Sequence, residues 1–257
     1  MQKIFSSLVL GMGTLLAMPA HADFTDNMTT KDPNVSAWYN ANDWDNGAPF
    51  DTCWKSTQFS RNSAGLGVFT LKSGTTSCSG GTKTDGSAGP AISSLKNASN
   101  ANGYYGYGTY SFNMKAAPAK AGVVMGAFTY RGPYNKADNN NPIHNEIDVE
   151  FLNGGVQFNY YHNHVGGHEV FLTAAQLGFD PSTSFHTYSY SWQPGVIKWM
   201  VDGVVKATQT TDIPTIAEGG MQIMVNLWKC TASAWCGVAP ASINTTGYVD
   251  WISYTVK

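Results

Sequence analysis

Three carboxylates recur at every second position in Glu146-Ile147-Asp148-Val149-Glu150. On a β-strand alternate side chains share a face, so Glu146, Asp148 and Glu150 point one way and Ile147, Val149 and Phe151 the other. A helix accounts for the pattern less well: its step of about 100° brings Glu146 near Glu150 but swings Asp148 away. Acidic residues are depleted in strands, and like charges in a row repel. Such a row is either a solvated strand face or a working set. Glycosidic bonds are commonly hydrolysed by two carboxyl groups flanking the bond, about 5–5.5 Å apart in retaining enzymes. Four residues of strand span roughly 13 Å between Cα atoms, and two glutamates leaning together on a twisted strand close most of that gap. Glu146 and Glu150 could then serve as nucleophile and general acid/base, with Asp148 bonded to either; spacing alone is symmetric. Crowding raises one pKa and keeps one carboxyl protonated. The nearby His144, His162, His164 and His168, with Asp148, offer a zinc alternative, but no further His or acidic spacing completes a familiar zinc set. For each lone His a hydrogen bond to substrate or backbone is the better reading.

The elements around this strand read as β throughout. Residues 66–72 alternate, and 104–115 set aromatic residues against small or polar ones, which predicts strands. Residues 122–130 form a more continuous apolar run, hence a buried strand. An Asn-rich loop at 132–143 leads into the carboxylate strand, and 156–162 follow it. Residues 185–192, 196–201 and 204–208 form a meander. Its turns are Gln193-Pro194-Gly195 and Asp202-Gly203, the latter a strong hairpin signal. Residues 221–228 and 248–256 close the pattern. There is no long amphipathic helix and no internal repeat. Many short strands with regular turns predict an all-β fold, an antiparallel sandwich or jelly roll.

Residues 1–22 read as a secretory signal: Lys3, an apolar stretch from Ile4 to Met18, and Ala20-His21-Ala22 as the cleavage pattern. The apolar run is short for a membrane span and no second one follows. The expected mature chain, 23–257, is one domain, secreted or periplasmic. The net charge of −2 suggests neither nucleic acid nor an anionic membrane as partner. Charged residues make up only 12% and aromatic residues 13%, and stacking platforms on a surface would account for that aromatic excess. Cys53, Cys78, Cys230 and Cys236 in an oxidising compartment imply two disulfides. Three connectivities are open, and Cys53–Cys78 with Cys230–Cys236 is the most local.

Beyond these patterns the chain resembles family-16 glycoside hydrolases, especially bacterial licheninases (endo-1,3-1,4-β-glucanases). Their hallmark, Glu-Ile-Asp-hydrophobic-Glu-Phe, is reproduced by Glu146 to Phe151. Tyr105-Gly106-Tyr107-Gly108-Thr109-Tyr110, Phe128-Thr129-Tyr130, Val156 to Tyr161, Trp192-Gln193-Pro194, Ile197-Lys198-Trp199, Val201-Asp202-Gly203, Asn226-Leu227-Trp228 and Asp250-Trp251 continue the likeness in order. The resemblance implies a concanavalin A-like β-jelly roll of two antiparallel sheets with a substrate groove on the concave side. It also implies retaining double displacement, with Glu146 as nucleophile, Asp148 assisting and Glu150 as general acid/base. Groove contacts would come from Trp44, Asn46, Phe128, Tyr130, Asn159, Tyr161, Asn226 and Trp228, with His144 at the entrance. Aromatic faces suit sugar rings, and amides both donate to and accept from hydroxyls; for Phe128 and Trp228 core packing is the competing role. No cofactor is implied for catalysis. A structural Ca²⁺ on the opposite face would use Asp250 and backbone carbonyls. The partner is a polysaccharide, a β-glucan, bound by a monomer.

The departures fall at or near the groove. Licheninases place Trp-Asp before the nucleophile, whereas here His144-Asn145 stand, the His resembling that of xyloglucan transglycosylases. A glutamate of the Pro90–Ser93 region is missing, the loop carrying Cys78 is longer, and Cys230–Cys236 is an unusual insertion. Mixed-linkage glucan is the expected substrate, and xyloglucan or an exopolysaccharide are alternatives. A transglycosylase on the same scaffold is the second function class. A non-catalytic lectin is the third, and the repelling carboxylates argue against it.

Overall fold

The structure is a computed structural model that describes residues 23–30, 38–74, 78, 88–94, 103–132 and 143–256. The alternations noted above become strands of two stacked sheets. One sheet runs in the order β15 (Val204–Gln209), β14 (Val196–Val201), β13 (His186–Gln193), β8 (Gly108–Lys115), β17 (Asn244–Val256), β5 (Gly67–Lys72), β6 (Ala88–Gly89), β3 (Cys53–Trp54). On its flanks, β1 (Phe24–Asp26) pairs with β17 and β4 (Phe59–Arg61) with β5. The other sheet runs β12 (Val165–Thr173), β11 (Gly155–His162), β10 (Asn145–Leu152), β9 (Val123–Arg131), β16 (Gln222–Lys229), β7 (Ala91–Ser94), β2 (Trp38–Asn40). The pairings are antiparallel except for the short β3–β6 contact. The all-β, two-sheet expectation holds.

The core lies between the sheets. Tyr110, Phe112 and Met114 of β8 and Tyr188, Tyr190 and Trp192 of β13 meet Met125 and Ala127 of β9, Ile147, Val149 and Phe151 of β10, and Ile223, Val225 and Leu227 of β16. Their period of two leaves the alternate residues of β9, β10, β11 and β16 facing away from the core. The Trp199 indole of β14 donates to the backbone carbonyl of Asp148 at 3.0 Å, so the opposite sheet pins the carboxylate strand at its middle residue.

Three expectations need correction. The aromatic excess is mainly core: Trp192, Trp199, Tyr105, Tyr110, Tyr188, Tyr190 and Tyr254 are all fully buried. A buried Tyr needs a polar partner, and Tyr110 and Tyr254 find one in the backbone carbonyls of Gly106 and Tyr107. The strand expected from residue 104 starts only at Gly108. Tyr105 instead bridges Met221 beside β16, so the chain crosses between sheets at Gly106 and Tyr107. Strands β1 to β4, β6, β7 and β12 were not foreseen.

The cysteines pair as Cys53–Cys78 and Cys230–Cys236, with Cα atoms 5.4 and 6.4 Å apart. Among the described residues no helix is long and apolar enough to cross a membrane. The signal segment and nearly all of the Asn-rich loop lie outside the described residues.

Candidate active site

Strand β10 lies between β9 and β11, and the Asn153-Gly154 turn fixes its register. Both residues have positive φ, 50° and 75°, as a two-residue type I′ hairpin requires. The register sets three rows across the sheet. Glu146 lies opposite Tyr161 on one side and Tyr130 on the other; Asp148 lies opposite Asn159 and Phe128; Glu150 lies opposite Gln157 and Gly126. One strand further, Asn226 pairs with Gly126. A Cβ at Gly126 would come within 2.8 Å of the Asn226 Oδ1. The missing side chain therefore lets that oxygen accept the Gly126 N–H at 3.1 Å.

Asp148 is buried, 3% exposed, and accepts a hydrogen bond from Asn159 Nδ2 at 2.9 Å. Burial first, then the charges of Glu146 and Glu150, and then a hydrogen bond to Glu146 push its carboxyl well above the usual range. These causes bias Asp148 toward its protonated form, in which it can donate to Glu146. On the other side of Glu146, His144 Nε2 lies 2.7 Å from Glu146 Oε2. The His144 ring is stacked on Tyr161 at 4.8 Å, and its backbone carbonyl accepts the His164 N–H. Two neighbours that can donate converge on Glu146, an arrangement that orients it.

Each end of the row is closed differently. At the Glu146 end, buried Asn145 donates to Glu218 Oε2 at 3.3 Å and accepts from the Asn163 N–H at 2.8 Å. His162 sits between Asp212 and Glu218, 2.8 Å from each. Burial alone would lower the His162 pKa, but its two carboxylate bonds outweigh that and raise it. Burial would likewise raise Glu218, and the Thr215 backbone N–H and His162 outweigh it and lower its pKa. At the Glu150 end, Trp54, Val124, Leu152, Trp228 and the Cys230–Cys236 pair form a separate apolar cluster, with Trp44, Phe50 and Trp235 packed against it. Trp235 reaches over the sheet, its indole donating to Gln157 Oε1 at 2.9 Å.

Residues 46–253 match the family described as "Glycosyl hydrolases family 16". A β-glucanase of Paenibacillus polymyxa is 40% identical over 227 residues, covering 86% of this chain and 84% of its own. The chain belongs to family 16 of the glycosyl hydrolases. It is a glycoside hydrolase whose substrate is a polysaccharide, and its chemistry needs no cofactor. The solved Bacillus licheniformis β-glucanase superposes with a TM-score of 0.76 at 34% identity, covering 93% of this chain and all of its own. A lichenase from a mouse hindgut metagenome gives 0.76 at 30% identity, covering 91% and 99%.

This face gathers most of the residues expected from the sequence. Glu146, Asp148, Glu150, Phe128, Tyr130, Asn159, Tyr161 and Asn226 share one face by register, and His144 borders it. Asn159 Oδ1 is buried without a hydrogen-bond partner in the protein. Trp228 lies on the same face but is 3% exposed, its ring 4.2 Å from that of Phe50. For Trp228 the packing role holds, because Phe50 covers the face a sugar would need. Trp44 and Asn46 stand at the edge of the same cluster, and Asn46 Oδ1 accepts the Trp54 indole N–H. Asp250 belongs to the other sheet, at the irregularity where β17 shifts register against β8. Among the described residues no histidines converge as zinc ligands. His162 is held by carboxylates, and the one cluster of three metal-ligating atoms among the described residues, Asp43 with Cys53 and Cys78, contains the two sulfurs of a disulfide. Sequence reasoning missed Gln157 and Trp235. Gln157 was findable because it alternates with Asn159 and Tyr161 along the predicted strand 156–162, whereas Trp235 depends on the fold of the disulfide loop.

The protonation of Asp148 is open to a direct check. Its raised pKa means that the native state binds a proton the unfolded chain has released at any pH between the ordinary Asp value, ~3.9, and the raised one. Stability therefore falls as pH climbs through that window. Asp148→Asn keeps a donor for Glu146 and an acceptor for Asn159 without a titrating group. The variant should melt with the wild type near pH 3 and above it by a growing margin toward pH 7, while losing activity. Thermal melts across that range decide the point, and a gap that does not change with pH would overturn it.

Proposed function

We propose that this chain is an exported, endo-acting β-glucan hydrolase that cleaves by retaining double displacement, with mixed-linkage β-1,3-1,4-glucan as its substrate. The observation that carries the reading is the row Glu146, Asp148, Glu150 on one strand face, with buried Asp148 hydrogen-bonded to Glu146. An ionised, oriented carboxylate suits attack on an anomeric carbon. The Glu146 carboxylate bonds to that carbon as the glycosidic C–O bond breaks, and the Glu150 proton goes to the leaving oxygen. Water then attacks the glycosyl-enzyme, Glu150 takes its proton, and Glu146 is released. Phe128, Tyr130 and Tyr161 supply ring faces, and Asn159 and Asn226 supply amide contacts to hydroxyls. The lichenase likeness supports mixed-linkage glucan.

The experiment is a panel of barley glucan, lichenan, laminarin and xyloglucan, with product linkage and anomeric configuration determined and a labelled acceptor sugar added. β-Configured oligosaccharides from the first two, without label, are the expected result. Labelled products would make it a transglycosylase instead, the reading that His144 before the motif favours. Binding without cleavage would make it a lectin.

Export rests on residues 1–22 and on two disulfides, and mass analysis of the exported protein should place its first residue at Asp23. A structural Ca²⁺ at Asp250 is part of the same proposal. Asp250 is half-buried at a bulge, where backbone groups leave the ladder and their carbonyls could join one carboxylate as hard-cation ligands. Chelation should lower Tm by about 5–10 °C, with Ca²⁺ restoring it. A Tm indifferent to both would remove the ion.

A further inference from the structure

The rows of the catalytic face do not stop at β11. Phe171, on the outermost strand β12, pairs with Gln157, and Gln157 pairs with Glu150. Side chains directly opposite across a sheet share a face, so Phe171 lies in the Glu150 row. It is 39% exposed, unusual for a ring of its size on a sheet whose other face is core. Its position depends on a glycine. A Cβ at Gly155 would come within 2.5 Å of the Phe171 ring, so the ring lies over the bare backbone of the neighbouring strand. Tyr161 does the same at the other end of this strand pair, where a Cβ at Gly166 would come within 3.1 Å of its ring. Two aromatic rings thus lie over glycines on the β11–β12 side of the face, one at each end.

We propose that Phe171 is a sugar-stacking platform that extends the groove to the edge of the sheet and binds a pyranose ring of the glucan chain remote from the bond being cut. Two strand spacings place β12 ~10 Å from β10, beyond the sugar that Glu146 and Glu150 handle but within reach of a longer chain crossing the strands. The ring contributes its apolar face to sugar C–H groups, an interaction that needs no polar partner. The proposal rests on the β-glucan reading above and adds a length preference to it.

The test compares Phe171→Ala and Phe171→Trp with wild type on a series of mixed-linkage oligosaccharides of increasing length and on a short aryl glycoside. Phe171→Ala should lose about 3–10-fold in kcat/KM on the longest substrates, through KM, and nothing on the shortest. Phe171→Trp should restore the loss. Equal loss at every length would indicate a structural role and overturn the proposal, as would no loss at any length. A second arm measures affinity for the same oligosaccharides in Glu146→Gln and in Glu146→Gln with Phe171→Ala. If the wild type cleaves no β-glucan, the function reading fails by itself, and this arm still decides the platform. Length-dependent weakening by Phe171→Ala supports it, and its absence overturns it.

Discussion

Glu146→Gln should fold as the wild type does and lose on the order of 10⁴–10⁶-fold in kcat, the range met when a nucleophile is removed. The substitution keeps the side chain's size and one oxygen, so Asp148 and His144 retain a partner and thermal melts should move little. The loss must then come from the chemistry, because a neutral amide does not form the glycosyl-enzyme. Glu146→Ala with sodium azide sharpens the test. Azide enters the space left by the carboxylate and attacks the anomeric carbon from that face. The C–O bond breaks, the Glu150 proton leaves with the departing sugar, and the product is an α-glycosyl azide. Recovery of activity with an α-azide identifies Glu146 as the nucleophile. A β-azide, or wild-type turnover by Glu146→Gln, would sink the assignment.

The carboxylate face was legible because a short-range rule fixed it. Period-two alternation put Glu146, Asp148 and Glu150 on one side; Phe128, Tyr130, Asn159, Tyr161 and Asn226 came from the family resemblance, and the strand pairing brings them to that side. The hairpins 145–162 and 196–209 were readable for the same reason. What was not readable depends on contacts distant in sequence. The family resemblance put Trp228 among the groove contacts, yet Phe50, far away in the chain, packs on it. Strand β12 escaped notice because its alternation breaks at Gly166-Gly167 and its register shifts between Phe158 and Tyr160. Phe171 went unremarked with it. The Asp212–His162–Glu218 bridge needs a loop that folds back 50 residues later in the chain. The order of roles along the row was symmetric in the sequence. In the structure Asp148 and His144 both bond to Glu146, and the roles of the two glutamates are left to the variants to assign.

Glu150→Gln is expected to show the complementary signature, a loss that depends on the leaving group. General acid–base assistance contributes typically ~10²–10⁴-fold. The variant should lose that much on glucan, where the departing sugar oxygen needs a proton. An aryl glycoside with a dinitrophenolate leaving group needs no proton, so its first step should proceed at nearly the wild-type rate. The glycosyl-enzyme on Glu146 then waits for a water that no base activates. Stopped-flow traces should show a burst of phenolate followed by slow turnover. Azide, which carries no proton to be removed, should speed the second step and give a β-glycosyl azide, the opposite anomer to that from Glu146→Ala. Equal losses on both substrates, without a burst, would mean that Glu150 does not protonate the leaving group. Because the two glutamates flank Asp148 at equal spacing on one strand, opposite anomers from the two variants are the result that separates their roles.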